Sequence, residues 1–431
     1  MVSGMDASGT STEVPAAPPV TARFRDAFRA RAFATFFAAE VQSVAGDQLA
    51  RVALSVLVFR QTGSAAASGL VFAATFLPAI IGGALLGPVA DRYRRRWVMV
   101  GVDGGRAALF AAMALPLPTA VRIVLLVAAV FIGPLFTTAG VAYLAAALDP
   151  ETFRVATGLR MLSSQGAQVV GFAVGGVLVA SLGPSWALAI DAGTFALSAL
   201  VMGVLAPAAG DERRASPPAE SGPAPSLRSV LWSDPRVRGL VALSALAGFF
   251  IAPEGLAVPV AQEWHVSTAR AGLLLAAIPL GSVVGVLVLV RWVPRSRRNG
   301  AAYAMAVACG LPLVVSGIAA RYPIALACWF LSGAFAAYQV EILTRVVLSI
   351  PQSLRGRGVG LATSVLLGAQ GVGLAVFGGL GDALTPSGAI VAAGAAGALC
   401  AGLLVAGPLR PAGAAGSAGD SGSPTVAAGR R

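Results

Sequence analysis

From residue 33 onward the sequence is a succession of long apolar stretches, separated by short breaks in which arginine collects. The break at Gly82 to Val98, GGALLGPVADRYRRRWV, sets the pattern: an apolar run ends in one acid and a cluster of arginines, and another apolar run follows. A helix needs about 20 apolar residues to cross the hydrocarbon of a bilayer, and basic residues gather in cytoplasmic loops. The break therefore reads as a short cytoplasmic loop between two membrane-spanning helices.

Composition agrees with that reading. Hydrophobic residues make up 57% of the chain besides 52 glycines, and only 12% are charged, about half the usual share for a soluble domain. A length of 431 residues leaves room for a dozen spans with short loops and little for a soluble domain. The net charge of +12 rests entirely on arginine, mostly at span ends, so it sets orientation and calls for no nucleic-acid partner. Cys309, Cys328 and Cys400 fall inside apolar runs at spacings that offer neither a disulfide framework nor a metal site. With His265 the only histidine, no metal and no cofactor are expected.

The expected fold is an all-α integral membrane protein with twelve transmembrane helices in two six-helix bundles. Residues 1–22, rich in Ser, Thr, Pro and Ala, read as a disordered cytoplasmic tail with no signal peptide. The N-terminal bundle, 23–206, holds spans at 33–59, 66–89, 98–117, 122–148, 157–182 and 185–206. A Pro- and Arg-containing linker, 207–236, leads to the C-terminal bundle, 237–407, with spans at 237–261, 269–293, 300–320, 323–349, 357–382 and 386–407. Residues 408–431 read as a second disordered tail. Loops assigned to the cytoplasm hold fifteen arginines, from Arg92 to Arg357, whereas Arg60, Arg122, Arg270 and Arg321 fall outside. That asymmetry places both termini in the cytoplasm.

The halves repeat one another. SGLVFAATFLPAIIGG from Ser68 matches AGLLLAAIPLGSVVGV from Ala271 (271 − 68 = 203), and the same offset lays Arg92, Arg94 and Arg95 on Arg295, Arg297 and Arg298. GAQVVGFAVGG from Gly166 matches GAQGVGLAVFGG from Gly368 (368 − 166 = 202). A duplicated bundle places a site between the halves near the membrane middle, where rocking opens it to each side in turn.

With loop, repeat and topology together, the chain resembles the major facilitator superfamily over nearly all its ordered length. GPVADRYRRR, from Gly87 to Arg96, is similar to that family's loop motif between its second and third spans. The resemblance implies a cytoplasmic gate in which Asp91 meets the N-terminal end of the eleventh span, near Gly356 to Gly358, where free backbone N–H groups favour an anion. Arg92, Arg95 and Arg96 would complete the lock. Arg94 stands where the family pattern has glycine, and Pro294 replaces the acid in the second copy, which makes the lock one-sided. GDQLARVALSVLVFRQTGS, from Gly46 to Ser64, resembles the branch that exports enterobactin and macrolides. Gly166 to Gly176 is similar to the fifth-span motif of antiporters, with Phe172 in place of its proline. Gly171, Gly175, Gly176, Gly378 and Gly379 equally suit close helix packing.

Charges within spans line cavities or pair, because a charge facing lipid costs at least about 2.5 kcal/mol. Asp47 and Arg51, four apart on one helix face, are candidates for proton coupling or substrate contact. Asp103 with Arg106, and Glu341 with Arg345, are spaced to pair, and Glu341 and Arg345 are also candidate proton-coupling or cavity charges. Glu254 aligns with Arg51 under the offset (254 − 203 = 51), and it reads either as facing Arg51 across the central cavity or as an acid in the cavity's outer mouth. Asp191 reads as a solvated position at the outer mouth. The fourth span lacks the arginine of many drug antiporters, with only Arg122 at its outer end, so proton coupling rests on resemblance. Phe136, Tyr338, Gln168 and Gln370 are the candidate substrate contacts, in a cavity apolar enough for bulky amphipathic molecules.

These features favour a secondary active exporter of a hydrophobic or amphipathic compound, such as an antibiotic, a siderophore or another metabolite, driven by protons. Uptake by the same fold and a non-transporting membrane sensor remain open. No P-loop, HExxH or Ser/His/Asp arrangement points to an enzyme. The expected partners are the small-molecule substrate, protons and the lipid bilayer, the expected state is a monomer, and the expected location is a bacterial plasma (inner) membrane.

Overall fold

The computed structural model describes residues 24–208, 235–350, 355–407 and 409, without the side chains of 88–91, 355–357 and 359. The expected N-terminal tail, and nearly all of the expected C-terminal tail and linker, lie outside the described residues. Among the described residues all regular structure is helical, as lipid demands of a chain whose backbone groups must be satisfied internally.

The short helix α1 (Phe24–Arg29) leads into α2 (Arg31–Thr62), which ends where Gly63 turns left-handed at φ 66 and donates to the Phe59 carbonyl at 2.8 Å. The next span breaks into α3 (Ala65–Ala73) and α4 (Leu77–Arg92). Thr75 Oγ1 donates back to the Phe72 carbonyl at 2.7 Å, and Pro78 can only begin a helix, so both residues enforce the break. Then come α5 (Arg95–Ala114), α6 (Thr119–Ala147), α7 (Pro150–Leu182) and α8 (Pro184–Val204). Arg122 is buried and donates to the Met113 and Leu115 carbonyls at 3.0 and 2.6 Å, which staples the turn between α5 and α6. Asp149 caps α7, and the backbone N–H of Thr152, donating at 3.0 Å, holds its carboxyl below the usual range.

The second half is more broken. Its first span comprises α9 (Pro235–Ala245), α10 (Ala247–Phe250) and α11 (Ala252–Glu263), followed by α12 (Thr268–Trp292). Then α13 (Arg298–Ala308) with α14 (Gly310–Ala319), and α15 (Tyr322–Ala336) with α16 (Tyr338–Leu348), form two further spans. The last two are α17 (Arg355–Ala383) and α18 (Pro386–Ala406). Eleven helical stretches among the described residues are long and apolar enough to cross a membrane. Outside that set lie α1, of six residues, and α2, whose 32 residues carry Arg31, Glu40, Asp47, Arg51 and Arg60.

The turns at Gly63, Gly183, His265 and Leu384 lie at one end of the bundle, and those at Arg94, Asp149 and Arg295 at the other. The halves meet chiefly along α7 with α12 and α3 with α17, with α11 also packed on α3, and the two main meetings are tight only at the Gly63 end. A methyl group at Gly176 would lie 2.7 Å from the Gly272 Cα, and one at Gly378 would lie 3.3 Å from the Gly69 Cα. Under the offsets of 203 and 202, Gly69 is the repeat equivalent of Gly272 (272 − 69 = 203) and Gly176 that of Gly378 (378 − 176 = 202). One pseudo-twofold contact is thus made twice, by glycines that let backbones touch. Toward the Arg94 end, α17 draws away. A methyl at Gly371 would first meet the Phe76 side chain at 3.4 Å, and one at Gly368 only the tip of Ile80 at 4.0 Å.

Burial follows the same division. One apolar core runs through both halves and takes its N-terminal members from the Gly63 end, among them Phe72, Phe110 and Phe195. A second core, around Phe33, Met99 and Tyr143, belongs to the N-terminal half alone, at the Arg94 end. The two halves are therefore joined at one end and parted at the other.

Candidate functional site

Between the parted halves lie two cavities that share Thr137. The deeper, of about 460 Å³, is lined by Asp47 and Arg51 of α2, Arg106 of α5, residues of α6, and Thr363 and Leu367 of α17. The other, of about 720 Å³, lies between α7 and α12 toward the Arg94 end, with Glu40, Arg160, Met161 and Leu287 in its wall. Both are mainly apolar, and each holds one ion pair between helices.

In the deeper cavity Arg106 donates to Asp47 at 2.5 Å, with the guanidinium 4.0 Å from the centre of the Phe195 ring. This pairing departs from helical spacing in two places. Arg51 turns from Asp47 to donate to Gln48 Oε1 at 3.2 Å, and its guanidinium lies 5.8 Å from the centre of the Phe76 ring. Asp103, expected to pair with Arg106, takes the Ser198 hydroxyl instead. Spacing along one helix put each pair on a common face, but a partner on a neighbouring helix offered a shorter contact. Arg51 remains the charged group whose field reaches Glu254 of α11, on the opposite half.

Asp191 is the larger correction. Expected at a solvated mouth, it is completely buried against Gly46, beside Asp47, and its carboxyl contacts Thr194 at 3.0 Å. α8 packs on both α2 and α5, which turns this acid to the middle of the N-terminal half.

In the second cavity Arg160 of α7 makes a two-pronged contact to Glu40 of α2, one prong at 2.7 Å, and its guanidinium lies 4.8 Å from the centre of the Phe36 ring. The sequence reading passed over this pair. Both charges stand inside apolar runs, so the cost of an intramembrane charge, applied to every such residue, would have found them. Glu341 and Arg345 of α16 do meet, at 3.4 Å, and Arg345 also donates to Tyr303 Oη at 3.2 Å.

The four expected substrate contacts line neither cavity. Phe136 is buried and stacks on Phe36 with ring centres 5.6 Å apart. Tyr338 is fully buried, and its hydroxyl donates to the Leu243 carbonyl at 3.2 Å. Gln168 is spent on Gln165 at 2.8 Å, and it is Gln165 that reaches the cavity. Gln370 is half-buried on α17. Aromatic and amide side chains at span centres are as readily drawn into helix packing as into a cavity.

Among the glycines singled out, Gly171 lies against Ala45 and Gln48, Gly175 against Leu49, and Gly176 and Gly378 at the junctions between halves. Gly379 faces open space and takes no part in packing. Cys309 and Cys328 are buried, and Cys400 is half-buried.

At the Arg94 end the side chains of Asp91, Arg355 and Arg357 lie outside the described residues. Gly87 has open space around it. Arg95 donates to the Ala142 carbonyl at 2.9 Å and Arg96 to the Gly203 carbonyl, both within the N-terminal half, while Arg92 is exposed. A contact of the kind expected from Asp91 stands at the other end and runs the other way. Asp382, at the end of α17, accepts from Ser64 Oγ at 2.6 Å and from the Ala65 and Ala66 N–H groups at 2.5 and 3.2 Å. An acid of the C-terminal half thus covers the free first turn of α3 in the N-terminal half.

Comparison with known proteins matches this architecture. A family model described as Major Facilitator Superfamily matches residues 32–258. The enterobactin exporter EntS of Citrobacter koseri is 30% identical over 367 residues, 82% of this chain and 86% of that protein. Among solved structures, a bacterial homolog of the human lysosomal transporter Spinster, inward-facing and occupied, aligns with a TM-score of 0.67 at 15% identity, covering 89% of this chain and 96% of that one. A D-xylose-proton symporter aligns with a TM-score of 0.65 at 15% identity, covering 86% and 96%. At these identities the two structures speak for the fold alone.

Proposed function

The chain belongs to the major facilitator superfamily and is a transporter rather than an enzyme; from that premise we propose that it exports an amphipathic small molecule in exchange for protons. The observation that carries this reading is the one-sided junction of the halves, closed at the Gly63 end and parted around two mainly apolar cavities toward the Arg94 end. Arginine crowds the loops of the Arg94 end, which supports a cytoplasmic orientation for it. The cavities then face the compartment from which an exporter loads. With α2 as a twelfth span, both termini are cytoplasmic and the units are the N-terminal bundle 23–206, the linker 207–236 and the C-terminal bundle 237–407. The protein acts as a monomer in a bacterial inner membrane.

Asp47 and Arg106 carry the coupling. A proton arriving at Asp47 cancels its charge and frees Arg106, and loss of that proton restores the pair. Arg51 and Glu254 stand on opposite halves and draw together as these close. The apolar walls and the single Glu40 to Arg160 pair suit a molecule with a large apolar body and few charges. The likeness to the enterobactin exporter makes a siderophore the first compound to try. Rocking closes the Arg94 end, where Asp91 meets the start of α17 and Arg92, Arg95 and Arg96 support it, and it opens the Gly63 end.

Inside-out membrane vesicles containing the protein test this reading. With an acid lumen they should accumulate enterobactin, or a member of a panel of lipophilic dyes, and release it when the pH gradient is collapsed. Accumulation indifferent to the gradient, or none above vesicles lacking the protein across the panel, would contradict it.

A further inference from the structure

Behind Asp47 and Arg106 lie two fully buried acids: Asp103, which accepts the Ser198 hydroxyl on one oxygen and leaves Oδ1 without a partner among the described residues, and Asp191. Asp191 has no exposed surface, and its Oδ2 finds no hydrogen-bond partner among the described residues. Its Oδ1 lies 3.0 Å from Thr194 Oγ1, which also lies 2.8 Å from the Asp191 backbone carbonyl. A hydroxyl has one proton to give. If Thr194 gives it to the carbonyl, in the ordinary manner of a helical threonine, the contact with Oδ1 is complete only when the carboxyl itself supplies a proton. The charged groups whose fields reach Asp191 are Asp47 from α2 and Asp103 and Arg106 from α5. The one cation among them is committed to Asp47, and an unpaired carboxylate this deep is expensive.

Position links the buried acid to the cavity. A side chain at Gly46 would strike both the Asp191 carboxyl and Thr194 Oγ1, so the glycine next to Asp47 makes the room that Asp191 occupies. Arg106, whose Nε is buried without a partner among the described residues, is the cation whose charge acts on both acids.

We propose that Asp191 is the proton store of this transporter and that it exchanges its proton with Asp47 while Arg106 exchanges carboxylates. In the transfer the O–H bond of Asp191 breaks and one forms on Asp47. Arg106 keeps its charge and passes from Asp47 to Asp191, so the cluster begins and ends with the same total charge. Such a transfer moves a proton between a closed interior and the open cavity with no net charge left in the membrane, which is the condition the cost of intramembrane charge imposes. The proposal rests on the proton-coupled reading above.

Infrared spectra of the full chain in lipid test it without a substrate, the proton being the probe. A protonated carboxyl gives a carbonyl band separate from the amide bands that shifts in heavy water. The wild type at neutral pH should show such a band, Asp191→Asn should lose it, and Asp103→Asn should keep it. Asp47→Asn mimics the protonated cavity acid and frees Arg106, so it should also lose the Asp191 band although Asp191 is intact. A purely structural Asp191 would not respond to position 47. Thr194→Val offers a second route if the Asn variant does not fold, and should displace the band by removing its hydroxyl contact. Absence of the band in the wild type, its survival in Asp191→Asn, an unchanged band in Asp47→Asn, or no displacement in Thr194→Val would each overturn the assignment. Transport that ignores a pH gradient would instead overturn the coupling reading, so the two failures are distinct.

Discussion

Asp382 and Ser64 lie at the ends of helices from opposite halves, and the 2.6 Å hydrogen bond between their side chains joins those halves where the bundle is closed. Together with the backbone contacts of Ala65 and Ala66, it makes one carboxylate the cap of a helix it is not covalently part of. The repeat equivalent of Asp382 is Ala180 (382 − 202 = 180), so this latch exists on one side of the pseudo-twofold axis only. If the Arg94 end is the cytoplasmic gate, Asp91 and Asp382 act at opposite ends of one helix pair and only one can be engaged at a time.

The latch should be measurable. A cap is worth about 1 kcal/mol, which is a shift of about fivefold in a two-state equilibrium. Asp382→Ala should therefore raise several-fold the rate at which a cysteine placed at Ala66 reacts with a membrane-impermeant maleimide, in a background lacking the native cysteines. Asp382→Asn, which accepts with one oxygen, should fall between. Equal rates in all three would show that the contact does not hold the halves.

The glycine junctions give a sharper contrast. A side chain at Gly272 would run into the Phe172 carbonyl and the Gly176 backbone, neither of which can yield, whereas Gly379 faces open space. Overpacking costs about 1–3 kcal/mol. Gly272→Val should keep the purified protein folded, leave the Gly63 end open to maleimide, and slow transport by roughly tenfold or more. Gly379→Val should leave both measurements unchanged.

The Asp47 to Arg106 pair should be coupled in a double-mutant cycle. Breaking a fully buried pair costs about 3–5 kcal/mol, and the Asp47 side chain keeps 28% of its exposure, so a smaller loss is expected here. Thermal unfolding in detergent should find Asp47→Asn and Arg106→Gln each destabilising and their combination less than additive. Strict additivity would mean the pair carries no interaction energy.

The second cavity separates wall from core. Arg160→Ala removes a two-pronged ion pair from the cavity wall and should raise the apparent KM for the exported compound more than it lowers kcat. Tyr338→Phe removes one hydroxyl from the interior of the C-terminal half and should cost about 1 kcal/mol in stability with transport intact. A transport defect in Tyr338→Phe equal to that of Arg160→Ala would put the substrate somewhere other than the cavity between α7 and α12.

Much of the architecture was legible because membranes impose simple rules. Run length marked helices, and the 203-residue offset aligned Gly69 with Gly272, which the structure puts in equivalent close contacts between the halves. The charged residues were visible, yet their partners were not. Spacing of three or four says that Asp103 and Arg106 share a face, but it is silent on whether α2 brings Asp47 closer, as it does. Asp191 looked like a mouth residue from its place in the span, since depth along a helix does not reveal which neighbours enclose it. Phe136 and Tyr338 show the same limit: a residue's chemistry suits a cavity or a core equally, and helix rotation decides.

The most direct test of the central claim is proton movement in proteoliposomes under an imposed pH gradient, with enterobactin and a panel of lipophilic dyes added in turn. The account predicts that at least one compound dissipates the gradient through the wild type, and that Asp47→Asn abolishes this while the folded protein still binds the compound. If Asp47→Asn dissipates the gradient as fast as the wild type, or if transport of a compound moves no protons, proton-coupled export through Asp47 is contradicted.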